Sequence, residues 1–349
     1  MSSQDKPLVT FAVFAYNQEQ FIREAIEGVF SQTYEPLEII LSDDCSSDRT
    51  FEIMQEMAAN YRGKHQVRAR RNPHNTGTLD HLLIVAKEAK GQLLVVAAGD
   101  DVSLPHRTET LVNHWIKNPC HALCSGYNEI DYEGNLISQN NQIKYLDGLE
   151  ICYRKCIRPR RFEFNKIRHV TGGSAAYDLK VFQNVPLSNQ YILIEDAFAS
   201  HIINLKGERI EWIQAPLVNY RINCLSVSNF ARIARNRKYI SYREIEIAEK
   251  KAMIFNQSTV NFCNYFFALI KEHNYPDTEQ FIENMKPIIY SAELHSKYLN
   301  LSLFQKIQQI FKTSSTNDIK FCVSRLFGNY SLYLLRNLFC LVLGVSIQR

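Results

Sequence analysis

The 349-residue chain has no marked excess of one charge, since 40 lysines and arginines stand against 36 aspartates and glutamates for a net charge of +4. That balance excludes a protein whose main work is neutralising a nucleic-acid backbone. The nine cysteines are odd in number, and they lie singly or in the C-x-x-x-C pairs Cys120/Cys124 and Cys152/Cys156. This is not the disulfide framework of a small secreted module. Structural zinc ordinarily takes the tighter C-x-x-C knuckle, so buried free thiols are expected. Long apolar runs are also lacking. The best candidate, residues 331–347 (SLYLLRNLFCLVLGVSI), would span about 26 Å as a helix, short of a hydrocarbon core of roughly 30 Å, and Arg336 and Asn337 interrupt it. An in-plane interfacial helix or a docked tail remains, which leaves peripheral membrane contact open. The opening MSSQDKPLVTF has no basic segment leading into a long apolar one, so cytoplasmic action is expected.

Several site signatures are missing as well. There is no G-x-x-x-x-G-K-[ST] and no G-x-G-x-x-G after the first apolar run, so a glycine-rich phosphate cradle is not supported. G-x-S-x-G and H-E-x-x-H are absent too, which removes the commonest serine-hydrolase and zinc-protease arrangements.

What is present is a globular composition, 46% hydrophobic and 22% charged, on a chain long enough for about two domains or one large α/β domain with an appendage. Leu8 to Phe14 reads as a strand buried on both faces. Asn17, with Gln20 three residues on, is expected to cap a helix carrying Phe21, Ile22, Ala25, Ile26, Val29 and Phe30. Leu37 to Leu41 follows as a strand, and Ser47 is placed to cap the next helix. Strand, helix and strand recur at Gln66–Arg70, Leu79–Lys90 and Gln92–Ala97. Four strands separated by helices predict a doubly wound parallel sheet, whose ligands bind beyond the carboxyl ends of the strands. A helix from Pro105 to Trp115 is predicted next, then strands at Ala122–Tyr127, Thr171–Tyr177 and Arg209–Ile213, with a helix beginning near Glu195. Beyond Asn229 the pattern is helical, and that segment holds 16 basic against 9 acidic residues. Arg154, Lys155, Arg158, Arg160, Arg161, Lys166 and Arg168 make a basic stretch, read equally as a solvated loop or as a cover over a phosphate-bearing ligand.

Carboxylates stand after the strands. Asp43 and Asp44 follow LEIILS, Asp100 and Asp101 follow LLVVAAG, and Glu195 and Asp196 follow YILI. Each pair alone could serve turns, helix caps or a helix dipole. Acid clusters that converge at one sheet edge repel each other unless a cation or hydrogen-bond donors separate them. Mg2+ or Mn2+ bridging to phosphate oxygens would meet that need.

The segment VTFAVFAYNQEQFIREAIEGVFSQTYEPLEIILSDDCSSDRT resembles the opening of family 2 glycosyltransferases, through Tyr16, Asn17, Gln32, Thr33, Tyr34, Glu38, Ile39, Asp43, Asp44, Ser47, Asp48 and Thr50. The likeness continues through Asn75, Gly77, AAGDD at 97–101, IED at 194–196, Gly207 and PLVNYR at 216–221. It covers about the first 225 residues. The resemblance implies a GT-A fold, an α/β domain with a mostly parallel, Rossmann-like sheet flanked by helices, over residues 1–229. The nucleotide-binding half would be about 1–104 and the acceptor half about 105–229, with a helical region at 230–349 that is membrane-associated or oligomerising.

It further implies inverting transfer of one sugar from a nucleoside-diphosphate sugar, UDP-sugars favoured, to a saccharide hydroxyl. The acceptor would be lipid-linked, in surface polysaccharide or O-antigen-type assembly at the inner face of the membrane. Ala15, Tyr16, Asn17, Asp43, Asp44, Arg71, Asn75, Gly77 and Asp100 would bind the nucleotide. Asp100 would match the last aspartate of the family's Asp-x-Asp metal motif, whose first position here is Ala98, so Asp101 and the donor diphosphate would complete the shell. Asp196 falls at the catalytic-base position with Glu195 on the acceptor side, and Arg221 is a candidate phosphate contact. The Gln-x-x-Arg-Trp of processive polysaccharide synthases is absent. A catalytically silent nucleotide-sugar-binding or scaffold protein is the alternative, and a phosphoryl or nucleotidyl transferase is a third.

Overall fold

The apolar run after Pro7 forms β1 (Val9–Ala15), with six of its seven residues buried, in a computed structural model that describes residues 6–141, 169–222, 242–273 and 278–312. β2 (Leu37–Asp43) is buried throughout, as strands covered on both faces must be. β1 pairs in parallel with β2, from Val9 opposite Leu37 to Ala15 opposite Asp43, and on its other side with β4 (Leu93–Ala98). β3 (Gln66–Arg71) lies parallel outside β2. Between the strands run α1 (Ile22–Phe30), α2 (Thr50–Asn60) and α3 (Gly77–Glu88). Ile22, Ala25, Ile26 and Val29 of α1 are buried at helical spacing, and Ile22, Ile26 and Val29 join Phe11 and Val13 in the main core.

The second half of this unit adds β5 (Val102–Ser103), α4 (Arg107–Lys117), β6 (Ala122–Ile130), β7 (Leu136–Asn141), β8 (Ala175–Asp178), α5 (Glu195–Leu205) and β9 (Ile210–Arg221). The sheet order is β3-β2-β1-β4-β8-β6-β9-β5, with β7 on β6. β8 enters antiparallel between β4 and β6, while β6 and β9 pair in parallel. The sheet is thus parallel from β3 through β4 and mixed beyond β4.

Three local expectations are corrected. Asn17 does not cap α1, which begins after Phe21 without a side-chain cap. Asn17 takes φ 53°, and its Oδ1 accepts from the Ser47 N–H at 2.8 Å. Ser47 is thereby engaged and does not cap α2; Asp48 accepts from the Thr50 N–H at 3.0 Å instead. Residues 172–174, expected in a strand, form a 3-10 turn, because two successive glycines bring no side chain to either face of a sheet.

Residues 242–273 and 278–312 belong to a second unit, helical throughout as expected. Phe266 on α6 (Tyr242–Glu272) packs against Phe281 on α7 (Thr278–Lys297), ring centroids 5.6 Å apart. Cys263, Ile270 and Met285 are buried with them. α8 (Leu303–Lys312) follows. Among the described residues no helix is long and apolar enough to cross a membrane. Cys120 and Cys124 are buried free thiols, both pushed up to about 12 by burial. The boundary expected at 229, the basic stretch 154–168, Cys152, Cys156 and the tail 331–347 lie outside the described residues.

Candidate active site

The carboxyl ends of β1 and β2 carry two loops that hold each other. The Asn17 N–H donates to Ser46 Oγ at 2.9 Å and the Gln18 N–H to Thr50 Oγ1 at 2.8 Å. The Glu19 N–H donates to Asp48 Oδ2, and the Arg49 N–H returns a bond to Glu19 Oε2 at 3.0 Å. Ala15 is buried at the strand end, whereas Tyr16 is 46% exposed at the rim.

Asp43 and Asp44 are both buried and both organise this rim. Asp43 accepts from the Ser46 N–H at 2.9 Å and its hydroxyl, and pairs with Arg71 Nε at 3.2 Å. Asp44 accepts from Asn72 Nδ2 at 2.7 Å, from the Thr76 N–H and Oγ1 at 3.0 Å each, and from the Gly77 N–H at 3.1 Å. It therefore caps α3, where a negative charge also meets the favourable end of the helix dipole. Asn75 Oδ1 accepts from the Gly77 N–H at 3.0 Å. Gly77 has φ +80°, and a β-carbon there would stand 2.8 Å from the Ile192 carbonyl. Both the left-handed backbone and the close approach demand glycine.

At the end of β4, Asp100 is half-buried and Asp101 fully so. Asp101 Oδ1 accepts from the Arg221 N–H at 2.9 Å, while Oδ2 is buried without a hydrogen-bond partner. Burial first, and the charge of Asp100 second, push the Asp101 carboxyl well above the ordinary range. Oδ2 is the atom with which Asp101 would join Asp100 in the expected metal shell, since a cation beside it favours the ionised form. The expected phosphate contact of Arg221 is a different case. Its guanidinium is 1% exposed and donates from Nε to the Asp100 carbonyl at 2.9 Å and from Nη1 to the carbonyls of Asp131 and Tyr132 at 3.1 and 2.8 Å. Nη2 pairs with Glu24. With its donors committed to the protein, Arg221 is a clamp on the Asp100–Asp101 turn and not a phosphate contact.

Glu195 and Asp196 open α5. Asp196 Oδ1 accepts from the Ala197 N–H at 2.7 Å, yet burial raises its carboxyl above the usual value. Burial and the neighbouring Asp196 charge raise Glu195 further, to about 7, against a lowering hydrogen bond from Thr78. Between this pair and Asp101 lies the 172–174 turn. A β-carbon at Gly172 would stand 2.6 Å from Glu195 Oε1, and one at Gly173 would stand 2.7 Å from Asp101 Oδ2. Adjacent α-carbons are about 3.8 Å apart, so the acids after β4 and the acids opening α5 flank a single two-residue turn.

The sequence reading missed Gly172 and Gly173 as site residues, although a Gly-Gly pair ahead of small residues was a visible sign of close approach. It also missed Thr78 and Tyr191. Among the described residues no group of three or more His, Cys, Asp or Glu side chains could hold a metal unaided. Asp100, half-buried at the turn, suits Mg2+ or Mn2+ only in company with donor phosphate oxygens and water.

An uncharacterised glycosyltransferase of Haemophilus influenzae is 33% identical over 127 residues, which is 36% of this chain and 38% of that protein, so the chain spans well under half of this relative. The glycosyltransferase GlyG of Streptococcus pneumoniae serotype 4 is 24% identical over 221 residues, 61% of this chain and 70% of GlyG. Among solved structures, S. aureus TarS 1-349 in complex with UDP-GlcNAc covers 82% of this chain and 88% of its own, at 14% identity and a TM-score of 0.46. The model of glycosyl transferase family 2 matches residues 10–185, half of the sequence, and the chain belongs to that family.

Proposed function

We propose that the chain transfers a single sugar, with inversion, from a nucleoside-diphosphate sugar to a hydroxyl of a saccharide acceptor. The observation that carries this reading is the Gly172–Gly173 turn, which sets the Asp100–Asp101 end of β4 on one side and Glu195 and Asp196 on the other. In the reaction the acceptor oxygen bonds to C1 of the donor sugar, its proton passes to Asp196, and the C1–O bond to the diphosphate breaks on the opposite face. A carboxylate raised by burial is a stronger base than one in water. Glu195, beside it, orients the acceptor. Ala15, Tyr16, Asn17, Asn75, Gly77 and Arg71 line the nucleotide end, with Asp43 and Asp44 fixing the loops that present them. Asp100 would hold Mg2+ or Mn2+, whose charge offsets that developing on the departing diphosphate.

UDP-sugars are the favoured donors, and the acceptor is a lipid-linked saccharide of surface polysaccharide assembly. The surplus of basic residues after Asn229 supports peripheral contact with an anionic membrane at its inner face. The deciding experiment is a transfer assay over UDP-, dTDP- and GDP-sugars with saccharide and lipid-linked acceptors, the product anomer being read by NMR. Transfer with inversion from at least one donor is expected. Binding of donors with no transfer to any acceptor, in an intact protein, would favour a silent nucleotide-sugar-binding protein.

A further inference from the structure

Tyr191 lies four residues before Glu195, in the segment that leads into α5, and it is 38% exposed. An exposed aromatic ring is ordinary by itself. This one is held in an unusual way. The Ile192 carbonyl accepts from the Leu79 N–H at 3.1 Å and from Thr78 Oγ1 at 3.3 Å. Asp80, buried on α3, accepts from the N–H groups of Ser188 and Asn189 at 2.8 and 2.9 Å. The segment is therefore strapped to the first turn of α3, the same turn that Asp44 caps. Only a glycine at 77 lets it approach, since a β-carbon there would meet Tyr191 Cδ2 at 3.3 Å as well as the Ile192 backbone. The Asn75 side chain hydrogen-bonds the Tyr191 phenol, whose ionisation is opposed first by burial and then by Tyr16 and Asp44 nearby.

Two partly exposed aromatic rings, Tyr16 from the β1 loop and Tyr191 from the α5 approach, thus converge on the Asp44–Asn75 corner. We infer that Tyr191 is an aromatic wall of the donor site and that, with Tyr16, it holds a flat hydrogen-bonding heterocycle, the base of the nucleotide. This rests on the nucleotide-sugar reading above. A ring fixed by its backbone straps and by Asn75 loses little freedom when a base settles on it, and stacking on an aromatic face tolerates different bases. Tyr191 then sets how tightly the donor is held, while Asp196, five residues on, meets the acceptor.

The test is calorimetry on the full chain with UMP and GMP, and with pyrophosphate plus Mg2+ as a probe lacking a base. Y191A is expected to weaken nucleotide binding about tenfold or more and to leave pyrophosphate binding within threefold. Y191F, which keeps the ring, should stay within about threefold of wild type for both. In turnover assays Y191A should raise the donor KM with kcat little changed. Equal nucleotide affinity of Y191A and wild type would overturn the role of Tyr191 while leaving the donor reading intact. Failure of the wild-type chain to bind either nucleotide would overturn the donor reading itself. Should Y191A not fold, photo-cross-linking of wild type with 5-iodo-UDP decides. Adducts on the Tyr191 peptide support the assignment, and adducts confined to other peptides refute it.

Discussion

Gly172 and Glu195 leave no room between them for a methyl group, since a β-carbon at Gly172 would stand 2.6 Å from Glu195 Oε1. The contact at Gly173, 2.7 Å to Asp101 Oδ2, is similarly close but of a different kind. Glu195 presents the far end of a flexible side chain, whereas Asp101 is buried and held through its Oδ1 by the Arg221 N–H. G172A is therefore expected to cost under about 1 kcal/mol of stability while turning Glu195 away from Thr78. G173A is expected to cost about 1–3 kcal/mol through overpacking. Urea unfolding of the two variants checks the contrast, and equal losses would contradict it.

Asp196→Asn should retain donor affinity and lose turnover by about 10²–10⁴-fold, the range for removing a general base. Calorimetry with UDP and initial rates on one preparation separate the two effects. Unimpaired transfer would remove Asp196 from the proton step.

Glu195 gives a stability effect of defined sign. Its folded-state value of about 7 lies above the ordinary 4.5, so between those values the folded chain binds more protons than the unfolded one. The stabilisation is fully present below about pH 4.5 and is lost as the pH rises through 7, up to about 3 kcal/mol. E195Q should remove this dependence, so that its melting temperature falls less than that of wild type between pH 5 and pH 8. Parallel melting curves across that window would count against a raised Glu195.

Arg221→Met removes donors from three carbonyls and the partner of Glu24. It should destabilise the protein by about 3–5 kcal/mol, the usual cost of breaking a buried charged network. Arg221→Lys should recover only part, because an ammonium cannot match the planar fork. A Met variant of full stability and weakened pyrophosphate binding would restore Arg221 as a phosphate contact.

Donor binding should depend on metal through Asp100. Titration of UDP with and without excess chelator, in wild type and Asp100→Asn, should show a chelator effect in wild type that is much smaller in the variant. Identical affinity for UDP in every arm would argue against a metal at Asp100.

The parallel half of the fold was legible because its strands are continuous apolar runs and α1 carries its stripe at 22, 25, 26 and 29; these patterns follow from burial and need no knowledge of partners. Acids after strand ends were legible for the same reason. Their division of labour was not. Asp43 and Asp44 look alike in sequence, yet one ties Ser46 and Arg71 while the other caps α3 from 33 residues away. The commitment of Arg221 depends on Glu24, 197 residues earlier in the chain, and no local pattern encodes such a pair. Asn17 has the residue type and spacing of a cap, and a loop from the next βα unit takes its oxygen first. Tyr191 belongs to no periodic element, so only the folded backbone brings it to α3.

The mutual bonding of residues 17–19 with 46–50 has a practical corollary for engineering. The two segments behave as one interlocked rim, so transplanting either alone from a family member would strand donors and acceptors in the recipient. Chimeras meant to change donor preference must exchange both together.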